Sequence, residues 1–356
     1  MQRKMFVLFA GLVLFSLLIA PVGMADAQAK TQASARMPRS AATAALLTDD
    51  PSPPTQTVKL IFIHHSTGEN WLADDNGGLG IALMNNNYFV SDTNYGWGPP
   101  DQDAGYETIG DHTDIGHYWN WFRGLHRDTY LADLYTEYDQ NSYYTRLATD
   151  PGGENLIVMF KSCFPNSQIS GSPADPPTGD PNPLRGQDAY SEHMTVGNVK
   201  GLYNDLLVYF AARQDRLFVL IVSPPLASGE TDPEHAANAR AVADWLINDW
   251  LDSYPYANVA VFDFYNTLTS NGGNPNTNDL DAETGNHHRW RNGAVQHIQT
   301  VSNNFSSYPT TDSHPSQAGN QKATAEFIQL LNIFYNRWAG GAAAPTNFIY
   351  LPLIMR

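Results

Sequence analysis

Three residues from distant parts of the chain have the types that acyl-transfer chemistry needs: a serine at 66, a histidine at 314 and an acid at 312. Ser66 closes the run Val58-Lys59-Leu60-Ile61-Phe62-Ile63-His64-His65-Ser66-Thr67-Gly68, where mostly apolar and β-branched residues stop at a small hydroxyl residue and a glycine. This predicts a buried strand opening into a tight loop. In an open α/β sheet the ligand crevice lies at that carboxyl edge. A serine there either caps or turns the chain or acts as a nucleophile. A hydroxyl nucleophile needs a base within hydrogen-bond reach. Thr310-Thr311-Asp312-Ser313-His314-Pro315 supplies one ahead of an amphipathic segment, with His314 between a rigid proline and an acid two residues back.

The elements that would position these groups alternate along the chain. Further strands are expected at Tyr88-Phe89-Val90-Ser91, at 155–160, at 217–222 and at 259–264. Helices are expected at 78–84, from Thr195 with Val199, Leu202, Leu206 and Phe210 at helical spacing, from Asp232-Pro233, and over 317–337. Strands alternating with helices imply an α/β fold, with a five-stranded parallel sheet covered on both sides. Residues 101–142 read as an irregular insertion over one face, and 266–309 as a second irregular stretch.

With 356 residues the chain is long enough for one large domain or two ordinary ones. Lys and Arg total 20 against 36 acids, a formal net charge of −16, which argues against nucleic acid or an anionic membrane surface as partner. The basic tip and apolar run at the start, followed by small residues, predict a secretory signal peptide over 1–29, the alternative being an uncleaved anchor. A flexible linker is expected over 30–54, the main domain over 55–338, and a spacer with an apolar tail over 339–356. That tail is too short to span a membrane and reads as a surface-sorting or docking signal or as an added strand. Cys163 is the only cysteine, so no internal disulfide can form.

On these residues the chain resembles the SGNH, or GDSL-like, hydrolases. In that family a nucleophile follows the first strand, a glycine the second and an asparagine the third, and an Asp-His pair with His-Pro precedes the last helix. The resemblance spans about 57–337 and puts the nucleophile at Ser66, the glycine near Gly96, the asparagine at Asn166 and the base at His314. It implies a three-layer α/β/α sandwich of flavodoxin-like type, and an oxyanion met by the backbone N–H of Ser66 and of Gly96 and by the Asn166 amide. Gly96 also reads simply as a turn glycine, and Asn166 as a loop cap. The blocks depart from the family: His64-His65-Ser66 stands for Gly-Asp-Ser, and Phe164-Pro165-Asn166-Ser167 for Gly-x-Asn-Asp. Asp312 lies one residue nearer the histidine than the family places its acid, so His314 is oriented by Asp312, by a backbone carbonyl or by a distant acid.

Cys163 is an unpaired thiol beside the same crevice, either a nucleophile or a small buried apolar residue. His64, His65, His112, His117, His287 and His288 lack an i, i+4 pair of zinc-site type, and adjacent histidines on a strand point to opposite faces, so no metal or cofactor is expected. His65, Trp97 and Trp119 are candidate substrate contacts. The aromatic and acidic segment 110–122 reads either as a sugar-recognition surface or as core beneath an insertion, with Asp111 and Asp114 a weak calcium pair. The expected function is that of an exported serine esterase acting on short acyl esters, carbohydrate esters among them. The alternative is a non-catalytic carbohydrate-binding or cell-surface protein on the same fold.

Overall fold

All five apolar runs form strands, and they lie parallel in one sheet. In the computed structural model, which describes residues 49–99 and 107–341, these are β1 (Val58–Ile63), β2 (Tyr88–Asp92), β3 (Ile157–Lys161), β4 (Leu217–Ile221) and β5 (Val259–Phe262), in the order β2-β1-β3-β4-β5. Their registers pair Leu60 with Val90 on one side and with Ile157 on the other. Side chains alternate between two cores, as the pleat requires. Leu60, Phe62, Met159 and Val219 face one, and Ile61, Ile63, Phe160 and Leu220 face the other.

Helices cover both faces, completing three layers. α1 (Ser66–Leu72), α2 (Leu79–Asn85) and the terminal α8 (Gln317–Gly341) bury Trp71, Leu83, Phe327 and Leu331 in the first core. The second core takes Trp121 and Phe122 from α3 (Tyr118–Phe122) and Leu131 from α4 (Arg127–Thr136), with Leu206 from α5 (Val196–Ala212) and Leu246 from α6 (Pro233–Asn248). Two caps act as read: Thr195 accepts from the Asn198 N–H, and Asp232 accepts from the N–H groups of Glu234 and His235.

Two stretches expected to be irregular are not. The described part of 101–142 holds α3, α4 and two 3-10 turns, and its aromatics Tyr118, Trp121 and Phe122 are buried in the core. After α7 (Phe264–Thr267), residues within 266–309 form an antiparallel hairpin of β6 (Asn286–Arg291) and β7 (Ala294–Gln299), packed on α7 and α8. Its strands are rich in His, Arg and Gln, so they lack the apolar run that marks the other strands. The end of the expected linker is also fixed: Asn332 donates to Pro51 O, Asn87 to Pro54 O, and Arg337 pairs with Asp49 at 2.5 Å. The expected signal peptide, the rest of the linker and residues 342–356 lie outside the described residues. No described helix is long and apolar enough to cross a membrane.

Candidate functional site

The strand order turns at β1, which has β2 on one side and β3 on the other, so the crevice of this fold lies beyond the carboxyl ends of β1 and β3. Ser66 follows β1 and Cys163 follows β3. Their Oγ and Sγ atoms stand 3.4 Å apart in that crevice. Ser66 is the first residue of α1, and no side chain caps that helix. The N–H groups of Ser66 and Thr67 have no hydrogen-bond partner among the described residues.

His64 and His65 follow the end of β1 and have different surroundings. His64 is buried, with its Nε2 3.1 Å from Asp92 Oδ2. His65 turns to the crevice, where its Nδ1 lies 3.3 Å from Ser66 Oγ and 3.3 Å from the Tyr95 hydroxyl. Gly68 allows the turn, since a Cβ there would lie 2.4 Å from His64 Cβ.

Beneath Ser66, Lys161 is fully buried and donates to the Thr67 hydroxyl. Burial pulls its ammonium down to about 8. Burial alone would push the Cys163 thiol up, but the adjacent His65 imidazole, the Lys161 ammonium and the Ser66 hydroxyl outweigh it and bring the thiol down to about 6. A lysine ending an otherwise apolar strand is the only sign of this in the sequence.

His314 sits in a tight turn closed by the Thr310 N–H donating to His314 O. Asp312 Oδ1 accepts from both the His314 N–H and its Nδ1, each at 2.9 Å, and Oδ2 lies 3.0 Å from Nδ1. The short spacing is thus what lets one carboxylate hold both groups, and Asp312 is the acid that orients the ring. With Nδ1–H donating to a carboxylate, the lone pair of the neutral ring falls on Nε2. Ser313 anchors the turn, accepting from the Ala227 N–H at 2.8 Å and donating to Glu230.

The His314 ring packs edge-on against Phe164, centroids 4.8 Å apart, and Phe164 follows Cys163 directly. Ser66, Cys163 and His314 therefore share one rim, although Ser66 and His314 make no hydrogen bond with each other. Neither expected side donor of the oxyanion is free. The Gly96 N–H donates to Asp111 Oδ1 at 3.1 Å. Asn166, fully buried, accepts from the Ile115 N–H at 2.8 Å and donates to Asp114 Oδ1 at 2.5 Å, so its amide holds the insertion down. Gly96 does have a positive φ of 76°, as its turn reading required.

The expected substrate contacts separate. His65 lines the crevice with Tyr95, an exposed aromatic whose ring lies 5.1 Å from the imidazole. Trp97 donates to Glu137, and Trp119 lies beneath the Arg185 guanidinium at 5.3 Å, both half-buried against the second core. Compared with models of protein families, with curated proteins and with solved structures, the chain matches none.

Proposed function

We propose that this chain is an exported hydrolase that cleaves acyl esters by covalent acyl transfer, with Ser66 as nucleophile, His314 as base and Asp312 as its orienting acid. The reading is supported by one observation: the Asp312–His314 pair, formed at 2.9 Å, packs on Phe164, the residue next to the Cys163 that touches Ser66. The order of the groups along the chain, similar to that of the SGNH hydrolases, supports it. Export rests on the leader pattern of the sequence, and a carbohydrate ester on the exposed Tyr95 beside the nucleophile.

In the reaction Ser66 turns from His65 and Cys163 toward His314, and its Oγ attacks the ester carbonyl as the proton passes to Nε2. The negative charge collects on the carbonyl oxygen, where the free N–H groups of Ser66 and Thr67 are the available donors. Collapse breaks the ester C–O bond, and His314 returns the proton to the leaving alcohol. Water then attacks the acyl-serine by the same base and releases the acid.

A second reading places the nucleophile on Cys163, and the lowered thiol pKa beside His65 favours it. A fluorophosphonate probe and p-nitrophenyl acetate hydrolysis distinguish the two. Labelling and turnover lost in Ser66→Ala support the serine. Turnover that survives Ser66→Ala and vanishes in Cys163→Ala moves the nucleophile to sulfur. An absence of both in the wild type leaves the non-catalytic binding protein.

A further inference from the structure

His117 is buried to 3% exposure and badly served: its Nδ1 has no hydrogen-bond partner among the described residues, and its Nε2 stands 3.4 Å from Asp188 Oδ1. A buried imidazole nitrogen left in this way calls for a further partner, a water or an ion. The carboxylates of Asp114 and Asp188 are beside it, and one ligand atom from each of the three residues falls within 4.8 Å of the others. We infer that Asp114, His117 and Asp188 form a binding site for a single transition-type divalent cation, zinc being the representative, at the junction of the insertion with the 182–189 segment.

The site is built before any ion arrives. Asp114 is aimed by two donors, Asn166 Nδ2 at 2.5 Å on Oδ1 and the Ala189 N–H at 2.9 Å on Oδ2, the outer contacts that hold a ligating carboxylate. Gly186 N–H donates to Gly116 O at 2.8 Å, and a Cβ on Gly116 would lie 2.2 Å from Gln187 O, so the two segments bearing the ligands are locked together. Ligand atoms around zinc at about 2.1 Å stand roughly 3.4 Å apart, so closing from the present spacing takes less than about 1 Å of movement per side chain.

A neighbouring ring packs beside the three residues without joining their cluster. His112 packs edge-on to His117 with centroids 5.0 Å apart, and its Nδ1 lies 2.8 Å from Thr108 O. A carbonyl accepts only from N–H, so the neutral His112 ring carries its lone pair on Nε2. Imidazole with two carboxylates is a borderline donor set that suits zinc, whereas calcium takes six or more oxygens.

The test is calorimetric titration of the full chain, freed of metal by chelator and dialysis, with zinc chloride, repeated with calcium chloride and backed by thermal melts. One equivalent of zinc is expected to bind with a rise in the melting temperature. Asp188→Asn, at an exposed position, should weaken binding at least tenfold, and His117→Gln should abolish it. Asp139→Asn, an exposed carboxylate elsewhere, should leave it unchanged. Wild type that binds no zinc, that binds calcium in its place, or that binds zinc no better than Asp188→Asn overturns the site. Hydrolysis enters none of these readouts, so the outcome is independent of the function proposed above.

Discussion

Ser66 Oγ and Cys163 Sγ, 3.4 Å apart, bring a hydroxyl and a thiol from the ends of adjacent parallel strands to one point. His65 reaches the hydroxyl at 3.3 Å, and Lys161 lies buried beneath. The crevice thus gathers a hydroxyl, a thiol, an imidazole and a buried amine, and the charge state of the thiol depends on the other three.

The thiol reports this directly, because Cys163 is the only cysteine. The ultraviolet absorbance of the thiolate should titrate with a midpoint near 6. His65→Phe removes the first of the lowering influences and leaves burial, which raises the pKa. The midpoint should therefore move up, and an unmoved midpoint would mean that His65 does not face the thiol.

Ser66→Ala and His314→Ala should each lower kcat/KM for an ester by about a thousandfold or more, the scale for groups that act as one unit. Asp312→Asn should cost less than either, because the residue keeps its hydrogen bond to the backbone N–H while losing the charge that fixes the tautomer. Steady-state kinetics on p-nitrophenyl acetate measure all three, and equal activity in Ser66→Ala and wild type would remove the serine mechanism.

Asn166 is expected to act on stability more than on turnover. Asn166→Ala leaves the buried Ile115 N–H and one Asp114 oxygen without their partners, at about 1–3 kcal/mol for each group. Urea unfolding should show a loss of roughly 2–6 kcal/mol. A variant as stable as wild type but slower by a hundredfold would return Asn166 to the oxyanion.

Acid should destabilise the fold through His288. Fully buried and accepting the Asp263 N–H on Nδ1 at 3.0 Å, it is held by burial, and then by the neighbouring His297, down to about 3 against an ordinary 6.5. Below pH 6.5 the unfolded chain takes up a proton that the folded chain refuses, so this contribution is intact above 6.5 and falls as pH drops toward 3. The slope approaches about 1.4 kcal/mol per pH unit. His288→Asn keeps an acceptor in place of Nδ1 and should flatten the curve between pH 6 and 4, as measured by urea unfolding at each pH.

Much of this was legible in the sequence because a buried parallel strand must be apolar along its whole length. The five strands and the capped starts of α5 and α6 follow from that pattern and from Thr195 and Asp232. The β6–β7 hairpin was hidden by polar strands, though its turn, Asn292-Gly293, carries the strongest short hairpin signal, and both residues have positive φ, 55° and 78°. Adjacency offered Asp312 as one of three partners for His314, and the turn that holds both selects it. The engagement of Asn166 and Gly96 could not, since their partners Ile115, Asp114 and Asp111 come from the insertion, and no periodicity shows where an insertion will fold back.

Arg337 near the end of α8 pairs with Asp49, and Gly341 lies beside Ala257, ahead of β5. α8 begins three residues after His314 and ends by the amino ends of the strands. Both ends of the described chain therefore depart from the side of the molecule opposite the crevice. The two ends of the described residues are thus held across the sheet from Ser66 and Cys163, and neither end obstructs the crevice.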